Sequence, residues 1–191
     1  KKKKKAPYKK EFRRGNYTKI LQSTLQLVDE DSVWFPNAYD DTLIKPLSID
    51  KNHDIGFCGN VNNRAGLLAL IDKTFNLKQD IFVIGTAMVS AINSYKIHFN
   101  CNIGIDINYR SFETIGCGTA LVTNYNEAYE ELGFVHRKNC MFYSNPDQLI
   151  TCVKELLGNE QLRRSIELES TVLAQKHTYI KRAEQLLQEV L

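Results

Sequence analysis

Short apolar runs alternate with segments of helical periodicity through most of the chain, and this alternation constrains the fold more than any other feature. The runs predicted as strands are Ile55–Cys58, Ile81–Ile84, Ile97–Asn100, Ala120–Thr123 and Met141–Tyr143. Strands of this kind, each followed by a helix, form a mostly parallel sheet that helices cover on both faces. We therefore predict an α/β fold with a Rossmann-like, mostly parallel sheet and helices on both of its faces.

The predicted helices fill the intervals between these strands. They comprise a helical lead-in over residues 7–30, helices over Arg64–Phe75, Met88–Tyr95 and Glu127–Leu132, a helix carrying Arg110, a helix that starts at Asn145-Pro146-Asp147, and two closing helices divided near His177. Ligands of such sheets bind outside the carboxyl ends of the strands, near a topological switch point. The loops 59–64, 85–88, 100–110 and 124–127 are therefore the expected location of a site.

The segment from Tyr109 to Asn124 carries the most specific chemistry. Arg110 and Glu113 are three residues apart, so they share one helix face close to the helix N-terminus. That end of a helix binds phosphate through free N–H groups, and arginine adds a planar charged fork. A carboxylate one turn later can accept hydrogen bonds from sugar hydroxyls. The alternative interpretation is an ordinary surface ion pair, because such pairs are common in helices.

Five sequence patterns occur together in one order. Arg110-x-Phe112-Glu113-x-x-x-Cys117-Gly118 resembles the donor-site segment of group 1 glycosyltransferases, and the branch with the spore-maturation glycosyltransferase-like proteins is the most similar. The other patterns that resemble this family are Val33–Asp40, Asp54–Asn60 with Arg64, Tyr95–Asn100, and His177–Tyr179 with Arg182. The resemblance extends from about residue 33 to the C-terminus.

This resemblance implies the C-terminal, donor-binding half of an enzyme of the GT-B type. The substrate would be a nucleoside-diphosphate sugar, with no other cofactor and no metal. Arg110 would stabilise the leaving diphosphate, and Glu113 would bind ribose hydroxyls. The remaining residues expected at the donor site are Gly59, Asn60, Arg64, Ser111 and Phe112. An N-terminal domain in the same or another chain would supply the general base and bind the acceptor, which is unknown.

Several alternatives remain open on the sequence alone. Arg64 is equally consistent with a solvated helix start, and Gly59 with a simple tight turn. His98 and His177 are interpreted as packing residues rather than catalytic bases. The rival function is a non-catalytic nucleotide-binding or interaction module with a basic N-terminal arm.

Charge divides the chain into two predicted regions. Residues 1–19 contain ten Lys or Arg and one Glu, whereas residues 20–191 contain fifteen Lys or Arg and twenty-one Asp or Glu. We interpret residues 1–19 as a basic N-terminal extension and residues 20–191 as the nucleotide-sugar-binding domain. A basic arm can bind nucleic acid or an anionic surface, and it is equally consistent with a solvated tail. The acidic domain and the small number of aromatic residues in the arm argue against a nucleic-acid partner.

Composition favours a globular protein without a membrane span. Apolar residues make up 43% of the chain, but no apolar run approaches the roughly 20 residues that a membrane-spanning helix requires. The five cysteines form no Cys-x-x-Cys pair and lie largely in apolar segments. We therefore expect a cytoplasmic protein without a disulfide framework or a zinc site. Asp106 and Asn108 supply too few oxygen ligands to predict a metal site.

Overall fold

A computed structural model describes residues 19–190. Five parallel strands form the central sheet, and a separate pair of parallel strands precedes it. The strands are β1 (Ile20–Gln22), β2 (Ser32–Trp34), β3 (His53–Gly59), β4 (Lys78–Ile81), β5 (Tyr95–Phe99), β6 (Ala120–Asn124) and β7 (Met141–Tyr143). The helices are α1 (Ala65–Phe75), α2 (Gly85–Asn93), α3 (Tyr109–Gly116), α4 (Ala128–Glu131), α5 (Pro146–Gly158), α6 (Glu160–Ala174) and α7 (Tyr179–Val190).

Helices cover both faces of the central sheet. The apolar residues of α2, α3 and α4 pack in one hydrophobic core, which includes Val89, Phe112 and Tyr129. Those of α1 and α5 pack in a second core on the opposite face, which includes Ile71 and Val153. Helix α6 contributes to both cores. The predicted α/β architecture with a covered parallel sheet is confirmed.

The strand order creates a topological switch point. The central sheet runs β4-β3-β5-β6-β7, so β3 is flanked by the two strands that follow it in the chain. The connection from β3 leads outward to β4, and the chain then returns to the other side of β3 to form β5. The loops that leave β3 and β5 therefore diverge, and the gap between them is where such sheets bind ligands.

The predicted helical lead-in is wrong over its described part. Ile20–Gln22 forms the strand β1, which pairs in parallel with β2, and the helical part of residues 19–30 is a single 3-10 turn at Leu25–Leu27. The indole Nε1 of Trp34 in β2 donates to Ser23 O, just before this turn, at 3.1 Å. Backbone pairing between strands overrode an apolar spacing that also suited a helix. Residues 7–18 of the predicted helix lie outside the described residues.

The strand predicted at Ile81–Ile84 is also wrong. The strand is Lys78–Ile81, and Phe82 leaves it in the left-handed region with φ of 58°. β4 is an edge strand, so it does not need the continuous apolar run of a central strand. Helix α2 accordingly begins at Gly85, three residues before the predicted Met88. The other strands of the sheet lie within two residues of their predicted bounds.

Candidate functional site

A cleft of about 430 Å³ lies at the switch point, between the loops that leave β3 and β5. Gly59, Asn60 and Arg64 line it on the β3 side, and Arg110 and Glu113 line it on the α3 side. Its volume is within the range of small-molecule sites. The structure therefore brings five of the seven predicted donor-site residues to one cleft.

Arg110 and Glu113 form an ion pair in the wall of this cleft. Arg110 Nη1 donates to Glu113 Oε2 at 2.7 Å, and the two side chains are only 19% and 18% exposed. Arg110 Nη1 also contacts Met88 Sδ. Burial raises the pKa of the Glu113 carboxyl, and the positive charge of Arg110 acts in the opposite direction. The pair is thus more enclosed than an ordinary surface pair on a helix.

The N-terminus of α3 opens beside Arg110. The side chain of the N-cap residue Asn108 makes no capping hydrogen bond to the helix. It exchanges hydrogen bonds with the Asn100 side chain instead, with both N···O distances at 3.1 Å. This amide pair joins the end of β5 to the start of α3. The first-turn N–H groups of α3 therefore keep the partial positive charge that attracts an anion.

Ser111 and Phe112 belong to the same helical turn, but both side chains are fully buried. Ser111 Oγ accepts a hydrogen bond from Asn100 Nδ2 at 3.0 Å. The Phe112 ring packs against His177 with ring centroids 5.4 Å apart. Helical periodicity turns residues 111 and 112 toward the sheet when residues 110 and 113 face the cleft. Neither of these two side chains lines the cleft, so the prediction that they belong to the donor site gains no support from the structure.

Arg64 joins the two loops that border the cleft. Its Nε donates to the carbonyl oxygen of Cys101, a residue of the loop after β5, at 2.9 Å. Its Nη1 donates to the carbonyl oxygen of Asn60, a residue of the loop after β3, also at 2.9 Å. The Asn60 side chain accepts from Asn62 N and tightens its own loop. Arg64 is therefore an ordered crosslink at the base of the cleft and not a solvated helix-start arginine.

Two tyrosines at the mouth of the cleft were not predicted as site residues. Tyr109 and Tyr179 both line the cleft and are half exposed. Tyr179 begins α7, and its backbone N–H donates to Tyr39 O at 2.9 Å. Tyr179 belongs to the His177–Tyr179 and Arg182 pattern that resembles the family, but we predicted no site role for it. Arg182 of the same pattern has a structural contact, because its Nε donates to Pro36 O at 3.0 Å.

His177 is a neutral packing residue, as expected. Its Nε2 donates to Leu132 O at 2.8 Å, and its Nδ1 accepts from Arg182 Nη2 at 2.9 Å. Burial lowers the pKa of His177 to about 4, and the hydrogen bond to Leu132 partly opposes this shift. Both ring nitrogens are engaged, so His177 is unsuited to act as a general base.

A larger groove of about 880 Å³ runs along the open edge of β7. It contains none of the predicted donor-site residues. Its charged side chains pair mainly with groove neighbours: Tyr125 OH donates to Glu130 Oε1, and Arg137 pairs with Glu155. Because this groove lies away from the switch point, the smaller cleft is the better candidate site.

Residues 19–190 hold no group of three or more His, Cys, Asp or Glu side chains placed to bind a metal ion. Nor do they contain a helix with the length and apolar character needed to cross a bilayer.

A sequence model of the glycosyl transferase-like family matches residues 43–188. The chain belongs to this family. The match includes β3, the cleft and the closing helices, so the whole candidate site lies within it. The predicted membership among group 1 glycosyltransferases is confirmed. The prediction of the spore-maturation branch is not confirmed by this match.

Solved structures of this family share the fold at low sequence identity. Anabaena HepE in complex with UDP and glucose is 10% identical, with a TM-score of 0.76 over 90% of this chain and 62% of that protein. Sucrose-phosphate synthase from Thermosynechococcus elongatus has a TM-score of 0.68 over 84% of this chain and 52% of that protein, again at 10% identity. The C-terminal domain of LpcC, a group 1 protein from Francisella tularensis, is 12% identical, with a TM-score of 0.58 over 72% of this chain and 96% of that domain.

Two curated proteins that match part of this chain in sequence are not named as glycosyltransferases. The ATP synthase gamma chain of Mesoplasma florum is 28% identical over 130 residues, which are 65% of this chain and 45% of that protein. The gamma chain of Mycoplasma capricolum is 31% identical over 96 residues, which are 49% of this chain and 34% of that protein. The chain thus spans less than half of the curated relatives it matches. The family model covers more of the chain and agrees with the five-stranded parallel sheet, so we assign the family from it.

Proposed function

We propose that this chain is the donor-binding half of a two-domain glycosyltransferase of the GT-B type. The reaction is transfer of a sugar from a nucleoside-diphosphate sugar to an acceptor hydroxyl. The arrangement of the two cleft walls is the observation that supports this proposal. The Arg110–Glu113 pair and the open N-terminus of α3 face the Gly59–Arg64 loop across a cleft at the switch point of the sheet.

In this proposal Arg110 and the α3 N-terminus bind the diphosphate and stabilise its charge as it departs. Both are cationic or partially positive, so the departing charge is neutralised without a metal ion. Glu113 offers Oε1 to ribose hydroxyls, because Oε2 already accepts from Arg110. The buried side chains of Ser111 and Phe112 make no contact with the donor in this proposal, and the Ser111 N–H already donates to Asn108 O at 3.3 Å.

The opposite wall contacts the phosphates or the sugar. Gly59 and Asn60 bring backbone close to the cleft at the end of β3. Arg64 uses Nε and Nη1 to hold the loops, which leaves Nη2 for a phosphate oxygen. In this proposal Arg64 both holds the two loops and contacts a phosphate through its charge.

Complexes of related folds guide the choice of nucleotide. HepE structures are described with UDP and with UDP-glucose, and pneumococcal GtfA with UDP and GlcNAc. At 10–12% identity, these complexes show a shared fold and do not identify the donor of this chain. UDP is nevertheless the first probe to test.

A second domain is expected over the cleft. Phe82 and Ile84 follow β4 and are 78% and 80% exposed, and Ile103 and Ile105 follow β5 and are half exposed. These apolar side chains lie at the carboxyl end of the sheet, beside the cleft. The pair β1–β2 also suits this partner, because parallel strands normally belong to larger, covered sheets. We propose that an acceptor domain, in the same or another chain, covers this edge.

Two finer assignments remain proposals. The motif set around Asp54–Asn60 and Tyr95–Asn100 supports the spore-maturation branch of the family. The free state of the five cysteines, four of which are buried, supports a reducing, cytoplasmic compartment.

A thermal-shift screen against UDP, GDP, dTDP and CMP tests donor binding, because a ligand of the native state raises the melting temperature.

Calorimetry on variants then tests the roles proposed for Glu113 and Arg110. Glu113→Gln should raise Kd about tenfold or more, since a hydrogen bond to a charged group contributes about 1.5–3 kcal/mol. Arg110→Lys should weaken UDP binding more than uridine binding, because lysine lacks the planar fork.

Arg164→Lys is the matched control, because Arg164 forms an exposed pair with Glu160 on α6, away from the cleft. It should leave Kd unchanged. Unchanged affinity in Glu113→Gln would refute the ribose role, and equal losses for UDP and uridine in Arg110→Lys would refute the phosphate contact.

The isolated chain should bind nucleotide weakly and transfer no sugar. One domain cannot enclose a cleft that excludes water from the reaction. A radiolabelled-donor assay with the 191-residue chain measures this, and robust transfer would show that no second domain is needed. Nucleotide binding without turnover even in the presence of an acceptor domain would favour a non-catalytic binding module.

A further inference from the structure

His98 lies on β5, between the two walls of the cleft, and is fully buried. Its Nε2 accepts a hydrogen bond from the backbone N–H of Cys58 on β3 at 3.2 Å. Its Nδ1 lies 2.5 Å from Thr114 Oγ1 on α3. The Thr114 hydroxyl in turn donates to Arg110 O at 2.5 Å. A continuous hydrogen-bonded chain therefore runs from β3 through His98 and Thr114 to the backbone of Arg110.

The partners fix the direction of every bond in this chain. A backbone N–H can only donate, so His98 Nε2 carries no proton. The Thr114 hydroxyl proton is directed to Arg110 O, so His98 Nδ1 must donate its proton to Thr114 Oγ1. The imidazole is therefore neutral, with its proton on Nδ1. Burial lowers the pKa of His98 well below its usual range, and the nearby charge of Arg110 adds to this effect.

This chain of hydrogen bonds connects β3 and α3, and these two elements carry opposite walls of the cleft. Cys58 immediately precedes Gly59, and Arg110 provides the charge on α3. A buried polar side chain is costly unless its hydrogen bonds are made, so an apolar residue would fill this position at lower cost if packing were the only requirement.

We propose that His98 and Thr114 are positioning residues that hold Arg110 in register with the β3 loop. This proposal rests on the proposed function, because the register matters only if both walls hold one donor diphosphate. Neither residue lines the cleft. Their effect on a ligand passes through the position of Arg110.

The direct test compares UDP and uridine binding by calorimetry in Thr114→Val, which preserves side-chain shape and removes the hydroxyl. We expect a roughly fivefold rise in Kd for UDP, equivalent to one hydrogen bond of about 1 kcal/mol, and little change for uridine. Thr114→Ser retains the hydroxyl and should restore UDP binding. Thr119→Val is the matched control. Thr119 is equally buried and its hydroxyl donates to Ile92 O at 2.9 Å, but it lies at the opposite end of the sheet.

A double-mutant cycle shows whether Thr114 acts through Arg110. The losses of UDP binding free energy in Thr114→Val and Arg110→Lys should be less than additive. Displacing the Arg110 guanidinium and replacing it with an amine both remove the same phosphate contact. Additive losses, or equal losses for UDP and uridine, would overturn the positioning role. So would a UDP loss in Thr119→Val as large as that in Thr114→Val.

A ligand-free measurement separates this inference from the donor proposal. Nitrogen-15 NMR of the imidazole should show a neutral ring with the proton on Nδ1 from pH 7 to pH 5. The other tautomer, or protonation in this range, would overturn the hydrogen-bonded chain itself. If the NMR result agrees but no nucleoside diphosphate binds the parent protein, the donor proposal is wrong and the positioning role is overturned with it.

Discussion

Gly56 in β3 is packed against the aromatic ring of Tyr95. A Cβ atom at position 56 would lie 2.3 Å from Tyr95 Cγ, far inside van der Waals contact. The ring cannot easily move, because it is fully buried and its hydroxyl is hydrogen-bonded to Asp80. Gly56→Ala should therefore lower the free energy of unfolding by at least about 2 kcal/mol, measured by urea denaturation.

Gly66→Ala is the matched control for this substitution. A Cβ at position 66 would meet nothing within 4 Å, and the residue lies in α1. Alanine should stabilise the helix there by roughly 0.5–1 kcal/mol relative to glycine. Similar stabilities for the two variants would contradict the contact with Tyr95.

His177 should make the fold sensitive to acid. Its pKa is about 4 in the folded protein and 6.5 in the unfolded chain, so the unfolded chain binds more protons between these values. Stability should therefore fall by up to about 1.4 kcal/mol per unit as pH decreases from about 6.5 to about 4. The low pKa of His98 acts in the same direction, whereas the raised pKa of Glu113 acts in the opposite direction.

Urea denaturation at pH 7, 6, 5 and 4 measures this slope. His177→Gln should be less stable at pH 7, because it loses buried contacts, but its stability should decrease less steeply with acid. Parallel curves for the parent and the variant would show that His177 titrates normally in the folded protein.

At the scale of elements, Arg64 determines how the loops after β3 and β5 meet. Lysine at this position keeps one charge but cannot reach both Asn60 O and Cys101 O with a rigid fork. Arg64→Lys should raise the UDP Kd roughly three- to tenfold and speed amide hydrogen exchange in residues 101–108, where the hydrogen bond of about 1 kcal/mol from the side chain to Cys101 O is lost. An unchanged exchange rate in this loop would exclude the crosslinking role, and Arg164→Lys again serves as the control.

At the scale of the whole molecule, the basic N-terminal region should be dispensable for the fold. Residues 1–10 contain seven lysines and offer little apolar surface to compensate for the entropy lost on ordering. Deleting residues 1–10 should change the melting temperature by no more than about one or two degrees, because such a segment adds little burial. It should leave UDP affinity intact, because the proposed diphosphate contacts lie beyond residue 58.

Two other results are informative for this deletion. A large drop in melting temperature would show that the basic region packs on the acidic domain. A loss of UDP affinity alone would show that these lysines, and not Arg110, bind the phosphates. Residues 1–18 lie outside the described part of the chain, so the boundary predicted at residue 19 stays a prediction.

The sequence alone determined the fold class and most of the candidate site. Central strands such as Ile97–Asn100 are buried on both faces, so their continuous apolar runs are distinctive. The Arg110–Glu113 spacing placed both side chains on one helix face, and strand order along the chain placed that helix near the Gly59–Arg64 loop. These features depend on local periodicity and on general rules of chain connection, which a single sequence carries.

Only the tertiary structure decided the rest. β1 and β4 were misassigned because an isolated pair and an edge strand obtain their hydrogen bonds from distant partners, which local spacing does not record. Tyr179 reaches the cleft because Tyr39 and Thr178 pair across more than a hundred residues of chain. The role of His98 also depends on tertiary structure, because its local sequence indicated only a packing residue. Its position between the walls of the cleft exists only after β3, β5 and α3 have packed together, because each of its hydrogen-bond partners belongs to a different element.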